Sequence, residues 1–386
     1  MNQLRILMLC PLRYVASIAF VMESIVAFAE RGHRVDVLVS DVCDPTFECN
    51  HSNVRSFIFH DTSAKRGLHY FSFFKAAYQL ARTMRYDLTI GISQVGLIVT
   101  AWIKKLFGIP CVFYNDEIWF GDERHTLHGN AFGYAMKFLE RHANRQVLFT
   151  VTQDPTRGRF LAKINRIPME TLRYIPNSRA GQAGISKSKY MHKLLEFPCE
   201  AKIVLWMGAL QPNDGALELA CEAQDWPDDY RMVFHFRTEH PSPYMLSLLE
   251  YHGKGQTYIS NKVIPYREVD RLVASATIGL GIYADKGINA RYICSSSGKI
   301  NAFLRKGVPC IVKNYEGLRW VEDLGVGLCV NNTSGVFEAV KKIVDNYETY
   351  QKRTIETFES LLSFDNAFAP IAEEIEKSVR GAEVNV

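Results

Sequence analysis

Ser295-Ser296-Ser297-Gly298-Lys299 places three hydroxyls, a residue without a side chain and a cation where a helix should begin. The polar stretch Asn289-Ala290-Arg291-Tyr292 precedes it, and the apolar run Ile300-Asn301-Ala302-Phe303-Leu304 follows. The first N–H groups of a helix have no intrahelical acceptor and carry the positive end of its dipole, so this stretch can hold a phosphate. The plain alternative is a serine N-cap followed by an exposed lysine, whose removal would cost little in folding. A P-loop is excluded by spacing: the positions that need glycine and a hydroxyl hold Ile293 and Ile300. Gly307 suits a left-handed stop to the helix, and Pro309 opens the next extended run.

Asn115-Asp116-Glu117 follows the apolar strand Cys111 to Tyr114, which puts two carboxylates at a strand's carboxyl end. Neighbouring acids raise one another's pKa, so Asp116 or Glu117 is a candidate base, and a helix cap or solvated loop is the alternative. Asp61 is the next candidate. Asp154 and Arg157 read as a helix cap and pair without a catalytic role. Gly208, in the turn Trp206 to Leu210, lets a ligand approach the backbone. Arg237, after the next strand, can fork onto a diphosphate or pair with Glu239. Val263 and Ile264 can offer backbone groups to a nucleobase.

Other chemistries are disfavoured. Pro11 to Ser17, after the first strand, contains no glycine, against a dinucleotide fingerprint. No Asp-x-Asp occurs, and His125 and His128 read as loop residues, so no metal site is expected.

These residues need elements to position them. The 386 residues suggest two domains. With 47% hydrophobic and 22% charged residues the chain is neither disordered nor membrane-spanning in type, and a net charge of +4 is too weak to argue for nucleic acid. Nine cysteines without a C-x-x-C pair read as reduced thiols of a cytoplasmic protein. Strands are expected at Arg5 to Cys10, Arg34 to Ser40, Asp87 to Ile92, Cys111 to Tyr114 and Val147 to Thr152, with helices between them. After the polar break Pro176 to Gly184 the alternation restarts, with strands at Lys202 to Met207, Met232 to Phe236, Thr257 to Ser260, Ile278 to Tyr283, Cys310 to Lys313 and Leu328 to Val330. The expected fold is α/β: two doubly wound, Rossmann-like domains facing across a cleft, over 1–180 and 181–360, with a C-terminal helix in 361–386 packing back on the first.

Taken together, the chain resembles bacterial glycosyltransferases of the two-Rossmann GT-B fold that build surface polysaccharides. The resemblance rests on Val112-Phe113-Tyr114-Asn115-Asp116-Glu117, on Thr152 to Arg157 ahead of Ile175-Pro176-Asn177-Ser178, and on Ile278-Gly279-Leu280-Gly281-Ile282-Tyr283 leading to Asn289 and Ser296-Ser297-Gly298-Lys299. It implies that the second domain binds a nucleotide sugar without a metal or other cofactor, and that the first binds a glycan or lipid-linked acceptor. It puts the diphosphate near Gly208, Ser296, Ser297, Gly298 and Lys299, adds Tyr283 and Asn289 to the donor site, and gives the ribose to Glu322. Many retaining members carry two glutamates eight positions apart where this chain has Cys294 and Ala302, which favours inversion. A sugar-nucleotide epimerase of the same fold and a non-catalytic nucleotide- or glycan-binding relative are the alternatives. Peripheral membrane contact is read from Phe73, Phe74, Lys75, Tyr78, Arg82, Arg85 and Trp102 to Phe107, against core-facing helices with solvated lysines.

Overall fold

The computed structural model describes residues 3–15, 18–41, 49–60, 68–119, 131–208, 210–236 and 241–383. The chain forms two compact units, residues 1–177 with 364–386, and residues 178–363.

The first unit runs β1 Arg5–Leu9, α1 Ala19–Glu30, β2 Arg34–Ser40, β3 Val54–Phe59, α2 Leu68–Thr83, β4 Leu88–Ile92, α3 Ser93–Phe107, β5 Cys111–Tyr114, α4 Ala131–Asn144, β6 Thr150–Thr152, α5 Pro155–Asn165 and β7 Leu172–Tyr174. Its seven strands are parallel in the order β3-β2-β1-β4-β5-β6-β7. Strands β1, β4 and β5 are almost wholly buried, as a sheet covered on both faces requires. The edge strands β3 and β7 carry no continuous apolar run, and Ile58 on β3 is 65% exposed, so neither is among the expected strands.

The second unit runs α6 Tyr190–Leu194, β8 Lys202–Met207, α7 Ala216–Glu222, β9 Tyr230–His235, α8 Pro243–Leu249, β10 Thr257–Ser260, α9 Val269–Val273, β11 Ile278–Gly281, α10 Ile288–Arg291, α11 Gly298–Arg305, β12 Cys310–Lys313, α12 Trp320–Asp323, β13 Gly327–Val330, α13 Val336–Asp345 and α14 Tyr347–Thr357. Its parallel strands are ordered β10-β9-β8-β11-β12-β13. Helix α15, Phe364–Glu383, belongs to the first unit. There Phe368 meets Phe28 edge-on at 4.9 Å, and Glu376 accepts from Arg31 at 2.8 Å and lies 3.0 Å from His33.

In each sheet the strand order reverses once, between β1 and β4 and between β8 and β11, and such a reversal opens a crevice at the strands' carboxyl ends. The second crevice depends on two glycines. A Cβ on Gly279 would stand 2.3 Å from the Phe303 ring, and one on Gly281 2.8 Å from Ile300. Missing side chains on β11 thus let α11 lie directly on the sheet, which fixes where the start of α11 points. Gly279→Ala should therefore lower stability by ~1–3 kcal/mol through overpacking against a fully buried Phe303. Denaturant unfolding measures this, and an unchanged midpoint would mean that α11 is free to retreat.

Candidate active site

Gly208, directly after β8, has φ +108°, and a Cβ there would meet nothing within 4 Å. Its backbone is therefore open to a ligand at the strand reversal. Across the crevice, after β11, Tyr283 donates or accepts a 2.5 Å hydrogen bond with the Ser297 hydroxyl. Ser297 also accepts from Ile300 N at 3.3 Å as the N-cap of α11. The Ser296 hydroxyl is turned back onto Ile293 O at 2.5 Å. Both serine hydroxyls thus help to hold the turn together. The backbone N–H groups of Gly298 and Lys299 have no acceptor among the described residues, and these, with the lysine ammonium, are the available donors.

Lys299 is not the exposed lysine of the simple capping alternative. Its ammonium lies 4.1 Å from the Tyr283 ring centre and 3.4 Å from Ile282 O. Burial lowers its pKa to about 8, although the charge of Asp214 pulls the other way. Asp214 is itself fixed, accepting from Gln211 N at 2.7 Å, Ala216 N at 2.9 Å and the Tyr244 hydroxyl at 2.8 Å. The sequence does not single out Asp214, because it follows β8 while Lys299 opens α11 after β11.

The other donor candidates scatter. Asn289 lies half-buried in α10, on the stretch between β11 and α11. Ile264 is fully buried in the core and Val263 is half-buried, so both can offer backbone groups only. Glu322 is exposed on α12 and accepts from Cys329 N at 3.2 Å. Its carboxylate thus covers an N–H of the outermost strand β13. Arg237, Asp61, His125 and His128 lie outside the described residues.

In the first unit, Asp116 and Glu117 follow β5 as expected, but they are unequal. Burial first, and then the charge of Glu117, raise the pKa of Asp116 to about 7, while backbone hydrogen bonds and Arg157 oppose the rise. Glu117 is exposed. The turn is held from within: Asn115 donates to Glu117 O at 2.8 Å, and Gln153 donates to Asn115 O at 2.5 Å. Arg157, only 2% exposed, donates to Gln153 Oε1 at 2.9 Å and to Asp116 O at 3.2 Å. Asp154 caps α5 through Arg157 N at 2.9 Å, as expected, whereas the Arg157 guanidinium supports the Asp116 turn. Tyr14, from the loop after β1, feels burial and the charges of Asp116 and Glu117, all of which raise its pKa.

Ser93 is a further feature of this strand end that the sequence reading missed. It has φ +60°, a left-handed backbone rare outside glycine, where β4 turns into α3. A Cβ on Gly91 would stand 2.5 Å from Gly96 O, and one on Gly96 2.8 Å from Leu9 O. The signal was legible as Gly91-Ile92-Ser93-Gln94-Val95-Gly96, a tight strand-to-helix turn flanked by glycines.

Residues 19–178 match the family model described as Glycosyltransferase Family 4. The chain has the GT-B fold. Among solved structures it resembles a sucrose-phosphate synthase from Thermosynechococcus elongatus, with TM-score 0.75 and 12% identity over 98% of this chain and 100% of that one. HepE from Anabaena in complex with UDP-glucose gives TM-score 0.70 and 12% identity over 97% and 100%. A putative UDP-N-acetylglucosamine 2-epimerase from Listeria monocytogenes gives TM-score 0.59 and 10% identity over 92% and 91%. No curated protein matches the sequence. The two parallel sheets, each with one strand reversal, carry the GT-B fold that these likenesses show.

Proposed function

We propose that this enzyme moves a sugar from a nucleoside diphosphate to a hydroxyl of a glycan or lipid-linked acceptor, in one inverting displacement that needs no metal ion. The observation that carries the reading is Asp116, a carboxylate held near neutrality at a strand end of the first unit. Its carboxylate takes the proton of the acceptor hydroxyl as that oxygen bonds to the anomeric carbon. The bond from this carbon to the diphosphate oxygen breaks, and its electron pair leaves with the diphosphate. The donor is held in the second unit at Gly208 and at the start of α11, where the Gly298 and Lys299 N–H groups and the Lys299 ammonium receive the departing charge. The UDP-glucose held by HepE supports a nucleotide sugar as the donor class. The alanine and cysteine in place of the two glutamates support inversion over retention.

Asp116→Asn should lower turnover by ~10²–10⁴-fold with nucleotide affinity nearly intact, whereas Glu117→Gln should keep most activity. Because the folded pKa of Asp116 lies above its unfolded value, its charged form is disfavoured by folding and its contribution to stability is lost as pH rises through about 7. The same Asp116→Asn variant should therefore melt higher than the wild type at pH 8. Near-wild-type transfer by Asp116→Asn would remove the base from this position, and turnover of nucleotide sugar without acceptor would favour an epimerase.

A bound diphosphate should restore the Lys299 charge that burial disfavours. Binding of a nucleoside diphosphate should then take up part of a proton near pH 8 and weaken as pH rises through that value. Calorimetry in buffers of different ionisation enthalpy reads the uptake, and Lys299→Ala should abolish it. Identical pH profiles for both proteins would take the diphosphate away from α11.

We also infer a cytoplasmic location with peripheral contact to an anionic membrane. On α2 and α3, Phe74 meets Trp102 edge-on at 5.7 Å and Tyr78 lies tilted against it at 5.8 Å, beside exposed Lys75, Arg82 and Lys105. Phe71, Leu106 and Phe107 extend this face, while Phe73 and Ile103 from the same helices are buried in the core. No helix among the described residues is long and apolar enough to cross a membrane. Sedimentation with phosphatidylglycerol vesicles should carry the protein down, and Trp102→Ala with Lys105→Glu should release it; equal pelleting of both would dismiss the contact.

A further inference from the structure

A cavity of about 340 Å³ lies on the second unit between α6, α9 and the segment after β10. Four cations line it, Lys189, Lys193, Lys262 and Arg271, with Tyr190 and Leu194 supplying an apolar wall. None of the residues of the β8–β11 crevice takes part in its lining. Against these four charges stands Glu268, 3.6 Å from Arg271. Among the described residues, Lys193 and Lys262 have no carboxylate within ion-pair distance.

The frame around these charges is built. Ser188 N donates to Ala274 O at 3.0 Å, and Tyr190 N donates to Ser188 Oγ at 3.1 Å. Lys189 donates to Cys199 O, and Met191 of α6 is fully buried. The Arg271 guanidinium sits 5.6 Å from the Tyr190 ring centre. Like charges converging on one concavity repel each other unless an anion occupies it. Such clusters of lysine and arginine match phosphate, which offers several acceptor oxygens and up to two charges. A cavity of this size has room for a phosphate with a small organic body resting on Tyr190 and Leu194.

We propose that this cavity is a second anion site, separate from the donor site, that takes a phosphate monoester. The source of the phosphate is either a free phosphorylated metabolite or a lipid headgroup, and the two share this chemistry.

The test uses the full chain carrying Lys299→Ala, which removes the ammonium from the anion site at α11, with glycerol 3-phosphate as the soluble probe. Isothermal titration should show saturable binding that weakens with added salt. Adding Lys193→Glu and Arg271→Gln should weaken it by about tenfold or more, the equivalent of ~1.4 kcal/mol, and Lys193→Arg should retain it. Both altered side chains are exposed, and a melting curve without phosphate checks that the fold is kept. In a parallel arm, vesicles of phosphatidylcholine with and without phosphatidic acid are sedimented with the same proteins. Binding of the soluble probe alone assigns a metabolite. Charge-dependent pelleting with phosphatidic acid, lost in the Lys193→Glu/Arg271→Gln protein, assigns a headgroup. Absence of binding in both arms, or binding unchanged by the charge substitutions, overturns the proposal. Because Lys299 is already removed, either failure leaves the donor-site reading untouched.

Discussion

The contact between β11 and α11 governs the chemistry of the second unit. A sheet covered by helices ordinarily keeps each helix axis a side chain's length away. On β11 the intervening side chains at positions 279 and 281 are absent, and Phe303 and Ile300 fill the space instead. The helix is lowered and locked by two of its buried residues, so its first turn meets Tyr283 and can be capped by Ser297. Without that descent Lys299 would project into water as a plain surface charge. The first unit uses the same device at Gly91 and Gly96, where β4, α3 and the end of β1 close to backbone contact, and Ser93 carries the resulting strain.

Lowering charged groups into a packed surface costs solvation, and the two proposed chemical groups show that cost with opposite signs. Burial raises Asp116 and lowers Lys299, so each is pushed toward its neutral form. Neither is compensated as a purely structural ion pair would be. Asp270 provides the contrast: burial pushes its pKa up, but Arg179, Arg305 and Lys306 surround it and hold it below the ordinary carboxylate range. A group whose partners are all internal is stabilised in one charge state. Groups left short of partners are free to exchange a proton or accept a substrate's charge, which is what a general base and an anion hole require.

Central features were legible in the sequence because central strands are constrained on both faces. Arg34–Ser40, Cys111–Tyr114, Lys202–Met207 and Cys310–Lys313 lie inside their sheets as apolar-rich runs that end at turn residues, and their limits are those of the expected strands. Edge strands obey a weaker rule. Val54–Phe59 needs one apolar face and Leu172–Tyr174 is three residues long, so neither leaves a pattern. Within the sites the limit is similar. Residue type and strand-end position suggested Asp116, Gly208 and Lys299, but Arg157 supports Asp116 from another loop, and Asp214 acts on Lys299 from another strand end. Such pairings form only after folding. Glu322 likewise acquires a partner, the N–H of Cys329 on an edge strand, that the sequence does not announce.

The first unit owes part of its coherence to a helix that arrives late in the chain. Helix α15 seats Phe368 against Phe28, and its Glu374 grips Arg173 through two bonds of 2.6 and 2.7 Å. Glu376 is nearly buried between Arg31 and His33, and the Arg31 hydrogen bond, with help from His33 and against burial, holds its pKa below the ordinary value. A nearly buried carboxylate that lost these partners would be left uncompensated, at a cost of several kcal/mol. The α1 and β7 surfaces are therefore completed only when residues some 200 positions downstream of β7 have docked. Closing so long a loop is expensive in chain entropy but only logarithmically so, and the bidentate pair, the aromatic contact and the buried carboxylate act together to offset it. The strand ends of the first unit, with Asp116 and Ser93, are thus held on a sheet whose last covering helix belongs to the far end of the described chain.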